Sequence, residues 1–95
     1  MRNIVIHNNY KKDFKLVKRQ ISSEKWGIEK IREVVLMLQT QDILPQSLND
    51  HNLWGEYQGF RECHIYGDLV IVYKRDDKEL HLRRIGRHQD LFKDY

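Results

Sequence analysis

The chain has 95 residues, and its 17 lysines and arginines exceed its 14 aspartates and glutamates, which gives a net charge of +3. This length predicts one small domain over residues 1–95, and a hydrophobic content of 40% suffices for a packed core and excludes a disordered chain. The sequence contains no run of about 18 apolar residues, no recognisable secretory signal and only one cysteine, Cys63. We therefore expect a cytoplasmic protein that has neither a membrane partner nor an internal disulfide.

The first half of the sequence predicts a strand followed by two helices. Residues 4–6 form a β-branched run, and Asn8 and Asn9 are residues that cap helix starts. The apolar residues that follow recur at helical spacing and predict the buried face of a first helix: Tyr10, Phe14, Val17 and Ile21. A second helix is predicted over residues 25–40, after a break at Ser22 and Ser23. Its buried stripe consists of Ile28, Ile31, Val34, Val35 and Leu38. The lysine-rich outer face of the first helix is interpreted as solvated surface.

The second half predicts a long polar loop and a sheet. Pro45 closes the helical half, and residues 41–55 form a loop long enough to suggest a function. Strand-like alternation then predicts strands over residues 57–65, 69–74 and 79–85, joined by turns at residues 67–68 and 76–77. The predicted class is therefore α+β, in the order β-α-α-β-β-β. Two helices pack on one face of a mostly antiparallel sheet and the other face is left for binding.

Polar residues occupy positions in these strands that packing residues would normally fill. Strand alternation puts Glu62 and His64 on one face and Arg61 and Cys63 on the other, so at least one face is not ordinary core. Each polar residue alone has a simpler interpretation as a surface histidine, a turn aspartate or a weak surface ion pair. The candidates for chemistry are His51, Arg61, Glu62, His64, Asp68, Arg84, Arg87 and His88.

These residue types fit phosphodiester cleavage without a metal or any other cofactor. Histidines can exchange protons near neutral pH, and a carboxylate and arginines can assist them by orienting groups and binding phosphate. A base would remove the proton of a ribose 2′-hydroxyl group, and an acid would protonate the leaving 5′-oxygen. The sequence has no glycine-rich phosphate loop, no CxxC and no HExxH motif, so a structural zinc site is not expected.

Two segments of the sequence resemble the YafQ-type bacterial toxins of the RelE/ParE superfamily. They are DHNLWGEYQGFRECHIYGDLVIVYK, which begins at Asp50, and LHLRRIGRHQDLF, which ends at Phe92. The shared pattern is Asp-His, Leu-x-Gly, Arg-x-x-His, a turn aspartate, Arg-x-Gly-x-His and Leu-Phe, and the two helices match in order and length. One position departs from the family, because Leu69 stands where some members carry tryptophan, which removes a possible base-stacking group.

The resemblance implies a curved RelE-like sheet and a ribosome-dependent mRNA endoribonuclease that cuts mRNA in the A site of the 30S subunit. It implies a cognate, DinJ-like antitoxin as partner, autorepression of the operon by the toxin–antitoxin complex, and contact with operator DNA only through that complex. Two alternatives remain on the same fold. One is a ParE-like gyrase inhibitor, which does not need the histidines, and the other is a non-catalytic corepressor that acts with its antitoxin.

The resemblance also assigns residues to the site. The catalytic positions fall on His51, His64, Asp68 and His88, with Glu62 as the acidic residue after the strand arginine. We expect His88 or His51 to be the general acid and Asp68, with or without His64, to be or to orient the base. The expected RNA-binding residues are Arg84, Arg87, Phe92, Arg61 and Glu62. Arg84 and Arg87 would bind phosphate, Phe92 would stack on a base, and Arg61 has a structural role as its alternative.

Overall fold

A computed structural model describes residues 1–21 and 25–92 and shows a five-stranded sheet with two long helices. The strands are β1 (Asn3–Ile6), β2 (His51–Asn52), β3 (Arg61–Tyr66), β4 (Leu69–Arg75) and β5 (Glu79–Arg87). The helices are α1 (Asn8–Gln20), α2 (Lys25–Thr40) and the short α3 (His88–Leu91), and two 3₁₀ turns lie at Gln46–Leu48 and Gly55–Tyr57. The predicted α+β class and element order are confirmed, with β2 as an additional short strand.

The order of strands across the sheet is β1-β5-β4-β3-β2. β1 pairs with β5 in parallel, with Val5 opposite His81, and every other pair is antiparallel. The chain runs from β1, at one edge of the sheet, through both helices to β2 at the other edge. The antiparallel strands β2 to β5 then lead back across the sheet, so β5 lies beside β1 and runs parallel to it.

Both long helices form where the apolar spacing predicted them. Tyr10 and Val17 are buried on α1. Three residues of the predicted α2 stripe, Ile31, Val34 and Leu38, are also buried. The lysine-rich face of α1 is exposed, as interpreted from the sequence. The predicted capping role of Asn8 and Asn9 is wrong, because α1 begins at Asn8 itself and the residue before it occupies the cap position without a side-chain hydrogen bond. The predicted break at Ser22 and Ser23 lies outside the described residues.

The strand predicted over residues 57–65 starts later, at Arg61. Gly55 has φ 67° and Gly59 has φ 91°, conformations in the left-handed region that interrupt extended structure. The segment between them forms a 3₁₀ turn and folds back over the sheet, and Leu53 donates its backbone N–H to the carbonyl of Phe60. Residues 41–55 were predicted as one long loop. They contain a 3₁₀ turn and β2, so the irregular segments are shorter than predicted.

Two apolar clusters lie on opposite faces of the sheet, and the central strand β4 contributes to both. The larger cluster packs the helices against residues that include Cys63, Ile71 and Tyr73. The smaller cluster lies on the opposite face, where Val70 and Val72 are covered by Leu53, Tyr57 and Phe92. The expectation that this second face is entirely free is wrong, since the loop before β3 and the end of the described chain cover part of it. Among the described residues, no helix is long and apolar enough to cross a membrane.

Candidate active site

A buried carboxylate lies at the centre of the polar face of the sheet. Glu62 is only 1% exposed, and its neighbours on this face are His64 on the same strand and the apolar Phe60 and Val72. Its position follows from the strand alternation, which turns Glu62 away from the helices, and from its register opposite Val72 of β4. A charged side chain buried to this degree is stable only with partners that compensate its charge.

Three histidines surround this carboxylate and come from three different elements. His51 of β2 lies directly opposite Glu62 in the strand register, and its Nε2 atom is 3.1 Å from Oε1 of Glu62. His64 follows two residues later on β3, with Nε2 at 3.5 Å from the same oxygen. His88 is the first residue of α3, and its Nε2 atom is 3.5 Å from Oε2 of Glu62. We call these four residues the histidine–glutamate cluster.

Backbone contacts hold the two histidines that do not belong to β3. The Nδ1 atom of His51 lies 2.8 Å from the carbonyl oxygen of Asn49, a residue with φ 48°. That contact fixes the ring, so that Nε2 is the atom presented to Glu62. His88 donates its backbone N–H to the carbonyl of Asp68 at 2.8 Å, and its ring lies against Phe92 with the centroids 4.8 Å apart.

The cluster combines a carboxylate that is inaccessible to solvent with three imidazoles that are accessible. The side chains of His51, His64 and His88 are 42%, 31% and 53% exposed, whereas Glu62 beneath them is closed to solvent. The Oε2 atom of Glu62 has no hydrogen-bond partner within the described residues, and Nε2 of His88 lies 3.5 Å from it. The buried carboxylate lies beneath the three open imidazoles, which face solvent, where a substrate would lie.

Asp68 and Arg87 lie beside the cluster and interact with each other. The Nε atom of Arg87 donates to the carboxylate of Asp68 at 3.0 Å, and both side chains are about half exposed. The described contacts of the Asp68 carboxylate do not reach a histidine ring. Asp68 contacts the cluster through its backbone carbonyl, which holds the first residue of α3. The Asp68 carboxylate is half exposed, and its expected role beside His64 stays a prediction.

Arg84 makes hydrogen bonds that hold α1 against the sheet. Its guanidinium group makes two hydrogen bonds to Asp13 of α1, at 2.7 and 3.0 Å, and a third to the hydroxyl of Tyr57. Asp13 also accepts the backbone N–H of Ile85, on the edge of β5 that β1 leaves unpaired. The hydrogen bonds to Asp13 raise the pKa of Arg84 further above its already high value. Arg84 thus joins α1 to the sheet, which competes with the phosphate-binding role expected from the sequence.

Phe92 and Arg61 are also engaged inside the protein. The Phe92 ring is 9% exposed and packs edge-on against Tyr57 as well as against His88. It supports the histidine rather than offering a free face to a base. Arg61 points away from the cluster, as strand alternation predicted, and its guanidinium group binds Asp50 and Asn52.

Asp50 is a residue that the sequence interpretation did not assign to the site. Its carboxylate accepts hydrogen bonds from Arg61 and from the hydroxyl of Tyr73. Burial opposes its ionisation, but these hydrogen bonds outweigh burial and lower the pKa of Asp50. Asp50 thereby anchors the chain immediately before His51. The Asp-His pair in the sequence pointed to Asp50, but its partner Tyr73 on β4 lies 23 residues away in sequence.

The metal prediction stays a prediction. Over residues 1–21 and 25–92, no group of three or more His, Cys, Asp or Glu side chains has an arrangement that could hold a metal ion. Cys63 is buried against the helices, and burial raises the pKa of its thiol to about 12. A thiol in that state is a packing group and a poor ligand or nucleophile.

The sheet topology and the cluster on its polar face define a RelE-like α+β domain with a histidine-based site. Residues 2–93 match the family model described as the bacterial toxin of type II toxin–antitoxin system, YafQ. The chain therefore belongs to the YafQ family. The mRNA interferase toxin YafQ of Escherichia coli K12 is 32% identical over 92 residues, which is 96% of each chain.

Solved structures are similar over nearly the whole chain. The E. coli DinJ–YafQ complex contains a chain that is 30% identical, with a TM-score of 0.82, covering 97% of this chain and 99% of that one. A metal-bound toxin from Helicobacter pylori is 32% identical, with a TM-score of 0.81, covering 97% of this chain and 100% of the other. These likenesses confirm the family resemblance read from the sequence.

Proposed function

We propose that this chain is an mRNA endoribonuclease and the toxin of a type II toxin–antitoxin system. The family description and the name of the E. coli relative support this function, and the histidine–glutamate cluster is the single structural observation that carries it. Three accessible imidazoles around one buried carboxylate provide proton donors and acceptors within a few ångströms of each other. A gyrase inhibitor or a corepressor would not need this arrangement.

The proposed reaction is an internal transfer at phosphorus. The ribose 2′-oxygen attacks the adjacent phosphorus while a base takes the 2′-hydroxyl proton, and the bond from phosphorus to the 5′-oxygen breaks. A general acid gives a proton to that 5′-oxygen. The products are a 2′,3′-cyclic phosphate and a 5′-hydroxyl end, so one proton is taken up and one is released. No metal takes part in these steps.

We assign the general acid to His88 or His51 and the base to His64. The imidazoles at the first two positions lie against the Glu62 carboxylate, and His64 contacts the same carboxylate from its own strand. Glu62 positions the rings and compensates their charge, so its proposed role changes from RNA contact to positioning residue. Arg87, which is half exposed beside His88, is placed to contact the phosphate.

Asp68 is proposed to position His88 rather than to act as the base. Its backbone carbonyl fixes the start of α3, and its carboxylate is paired with Arg87. Asp68→Asn should therefore reduce cleavage less than a change of any histidine in the cluster.

The proposed partners of this toxin are the ribosome, a cognate antitoxin and, through the antitoxin, operator DNA. The cluster is open to solvent, so an mRNA held in the ribosomal A site could reach it without a change in the fold. A related toxin has been solved with the antitoxin DinJ, which supports a cognate antitoxin as partner here. We propose that the toxin contacts operator DNA only within that complex, which would then repress its own operon.

Primer extension on mRNA after brief induction in cells tests the nuclease proposal. The wild type should produce cuts in phase with codons, and His88→Ala should abolish them while it still binds the antitoxin. Gln89→Ala is the matched control, because Gln89 is exposed on the same short helix and has no proposed role. Its cuts should equal those of the wild type.

The other outcomes distinguish the alternatives. Intact mRNA together with growth arrest and an SOS response would favour a gyrase inhibitor. Intact mRNA without toxicity would favour a corepressor. Cuts out of phase with codons, reproduced on ribosome-free RNA, would retain the nuclease and remove the dependence on ribosomes. Equal cutting by the His88→Ala variant would remove His88 from the catalytic residues.

A further inference from the structure

A second cluster of basic and aromatic side chains lies on the same face of the sheet as the histidine–glutamate cluster. Strand alternation places Lys74 of β4 and His81 of β5 on this face, opposite each other in the register. We call this surface the basic–aromatic patch. It consists of His7, Phe60, Lys74, His81 and Arg83.

The patch is held together by specific contacts. His7 and His81 share a hydrogen bond between Nε2 and Nδ1 at 3.1 Å, and Nε2 of His81 lies 3.2 Å from a carboxylate oxygen of Glu79. The Nζ atom of Lys74 lies 5.1 Å from the centroid of the Phe60 ring, and the His7 ring meets Phe60 edge-on at 6.5 Å. These contacts fix the positions of the basic groups before any ligand binds.

Positive charge in the patch exceeds the negative charge around it. Burial and the nearby His81, Arg83 and Lys74 lower the pKa of His7. Within the described residues, no carboxylate forms an ion pair with Lys74 or with Arg83, and Glu79 is the acidic group in contact with the patch. An anion bound here would relieve the repulsion among these cations.

The patch is continuous with the proposed nuclease site. The Arg83 guanidinium group lies 6.0 Å from the centroid of the Tyr57 ring, Tyr57 packs on Phe92, and Phe92 packs on His88. Along β4, Lys74 is two residues from Val72, which is the strand neighbour of Glu62. Two residues of a strand span about 7 Å, so the patch and the cluster lie in adjacent rows of the same face.

We propose that the basic–aromatic patch is a subsite for a phosphodiester group of the RNA strand next to the nucleotide that is cleaved. This inference rests on the proposed function and extends its site by one row of the sheet. Lys74 and Arg83 provide the permanent charges. His81, whose two ring nitrogens contact His7 and Glu79, holds His7 in place, and His7 offers a further ring donor at Nδ1 when it is protonated. The ligand is single-stranded RNA, because a surface of cations with aromatic rings binds a flexible backbone without reading its sequence.

Binding of an uncleavable RNA tests the subsite apart from catalysis. A fluorescein-labelled heptanucleotide with 2′-O-methyl groups lacks the attacking hydroxyl group, and its dissociation constant can be measured by anisotropy at several salt concentrations. The double variant Lys74→Ala/Arg83→Ala should bind about tenfold more weakly than the wild type, which corresponds to about 1.4 kcal/mol. The slope of log affinity against log salt should fall by about 0.7 to 1.4, as expected for one or two lost phosphate contacts.

The matched control removes the same number of charges elsewhere. Lys11 and Lys15 are exposed on α1, so Lys11→Ala/Lys15→Ala has the same net charge as the patch variant. The control should bind like the wild type, and circular dichroism should show that all three proteins are folded. Equal weakening in both double variants would overturn the subsite, because affinity would then follow net charge alone. Failure of the folded wild type to bind the heptanucleotide at 100 μM would overturn it as well.

A pH comparison isolates the histidine pair. Protonation of His7 adds an N–H donor at Nδ1 while the hydrogen bond to His81 stays intact. The groups that face His7 are His81, Glu79 and Arg83 from β5 and Lys74 from β4. Because the pKa of His7 is lowered from its usual 6.5, lowering the pH from 7.5 to about 5 should tighten binding by the wild type more than binding by His7→Asn. Equal tightening would exclude His7 from the subsite.

The same proteins separate failure of the subsite from failure of the nuclease. If primer extension shows cuts but the patch variant binds the RNA as well as the wild type, only the subsite is wrong. If the wild type binds the RNA through the patch but mRNA stays intact in cells, the nuclease proposal fails and the binding surface remains.

Discussion

At the scale of single residues, Glu62 has the least ordinary environment in the described chain. It is a carboxylate with 1% exposure in the middle of a strand, and its described ion-pair partners are three histidines. A buried charge of this kind lowers stability unless its partners are well placed, so its presence indicates a function beyond packing. Glu62 therefore lies at the centre of the candidate site.

Replacing Glu62 with glutamine tests this assignment. Glu62→Gln keeps the size of the side chain and removes the carboxylate that positions the three histidine rings, so mRNA cleavage should fall roughly 100-fold. The variant should stay folded, as measured by its urea unfolding midpoint. Glu56→Gln is the control, since Glu56 is exposed in the 3₁₀ turn before β3. An unchanged cleavage rate in a folded Glu62→Gln protein would contradict the positioning role.

At the scale of elements, the two-residue strand β2 depends on one side-chain network for its place on the sheet. Asp50, immediately before β2, binds Arg61 of β3 and the hydroxyl of Tyr73 of β4. A strand of two residues has too few backbone hydrogen bonds to be stable alone, so this network fixes the position of His51. The same principle holds for α1, which Asp13 joins to β5 through Arg84.

The Asp50 network predicts a pH dependence of stability. The pKa of Asp50 is lowered from its usual 3.8 in the folded protein. Its contribution is therefore complete above about pH 5 and is lost as the pH falls through the folded pKa. Asp50→Asn should cost about 2 kcal/mol of unfolding free energy at pH 7, measured by urea denaturation, because the hydrogen bonds from Arg61 and Tyr73 to a charged group are weakened.

The difference between the two proteins should shrink as the pH falls below 3.8, because the wild-type carboxyl group becomes neutral as the pH passes through its lowered pKa. Cleavage by Asp50→Asn should fall as well, because His51 loses its anchor. A stability difference that stays constant from pH 7 to pH 3 would show that the charge of Asp50 contributes nothing to the network.

At the scale of the whole molecule, the strand β4 couples the two faces of the sheet. Ile71 and Tyr73 belong to the cluster under the helices, while Val70 and Val72 belong to the cluster beside the candidate site. One strand cannot leave one cluster and remain in the other, since neighbouring residues alternate between the faces. The predicted single domain over residues 1–95 should therefore unfold in one cooperative transition.

The two tryptophans provide probes for this prediction. Trp26 lies on α2 against Tyr66, with the ring centroids 4.4 Å apart, and Trp54 lies in the loop before β3. Single-tryptophan variants, Trp54→Phe and Trp26→Phe, should each give a fluorescence transition in urea that coincides with the circular dichroism transition of the same protein. A fluorescence transition at clearly lower urea in the protein that retains Trp54 would show that the site face unfolds independently.

The sequence by itself determined the elements that follow from local periodicity and turn chemistry. The apolar spacing around Val17 and Val34 was enough to predict both long helices, because a helical face repeats within a few residues. The family pattern in residues 50–92 was enough to predict the RelE-like fold and the histidines. Strand alternation also predicted that Arg61 and His64 face opposite ways.

Only the tertiary structure decided which of these residues meet. Contacts between segments far apart in sequence determine the start of β3, the pairing of β2, and the partners of Glu62, Arg84 and Asp50. Asp13 and Arg84, for example, are separated by 71 positions. Local sequence contains no signal for such contacts, since burial and partner choice are set by how the elements pack around β4. The sequence supplied the reactive groups, and the packing of the sheet gathered three histidines around a buried carboxylate.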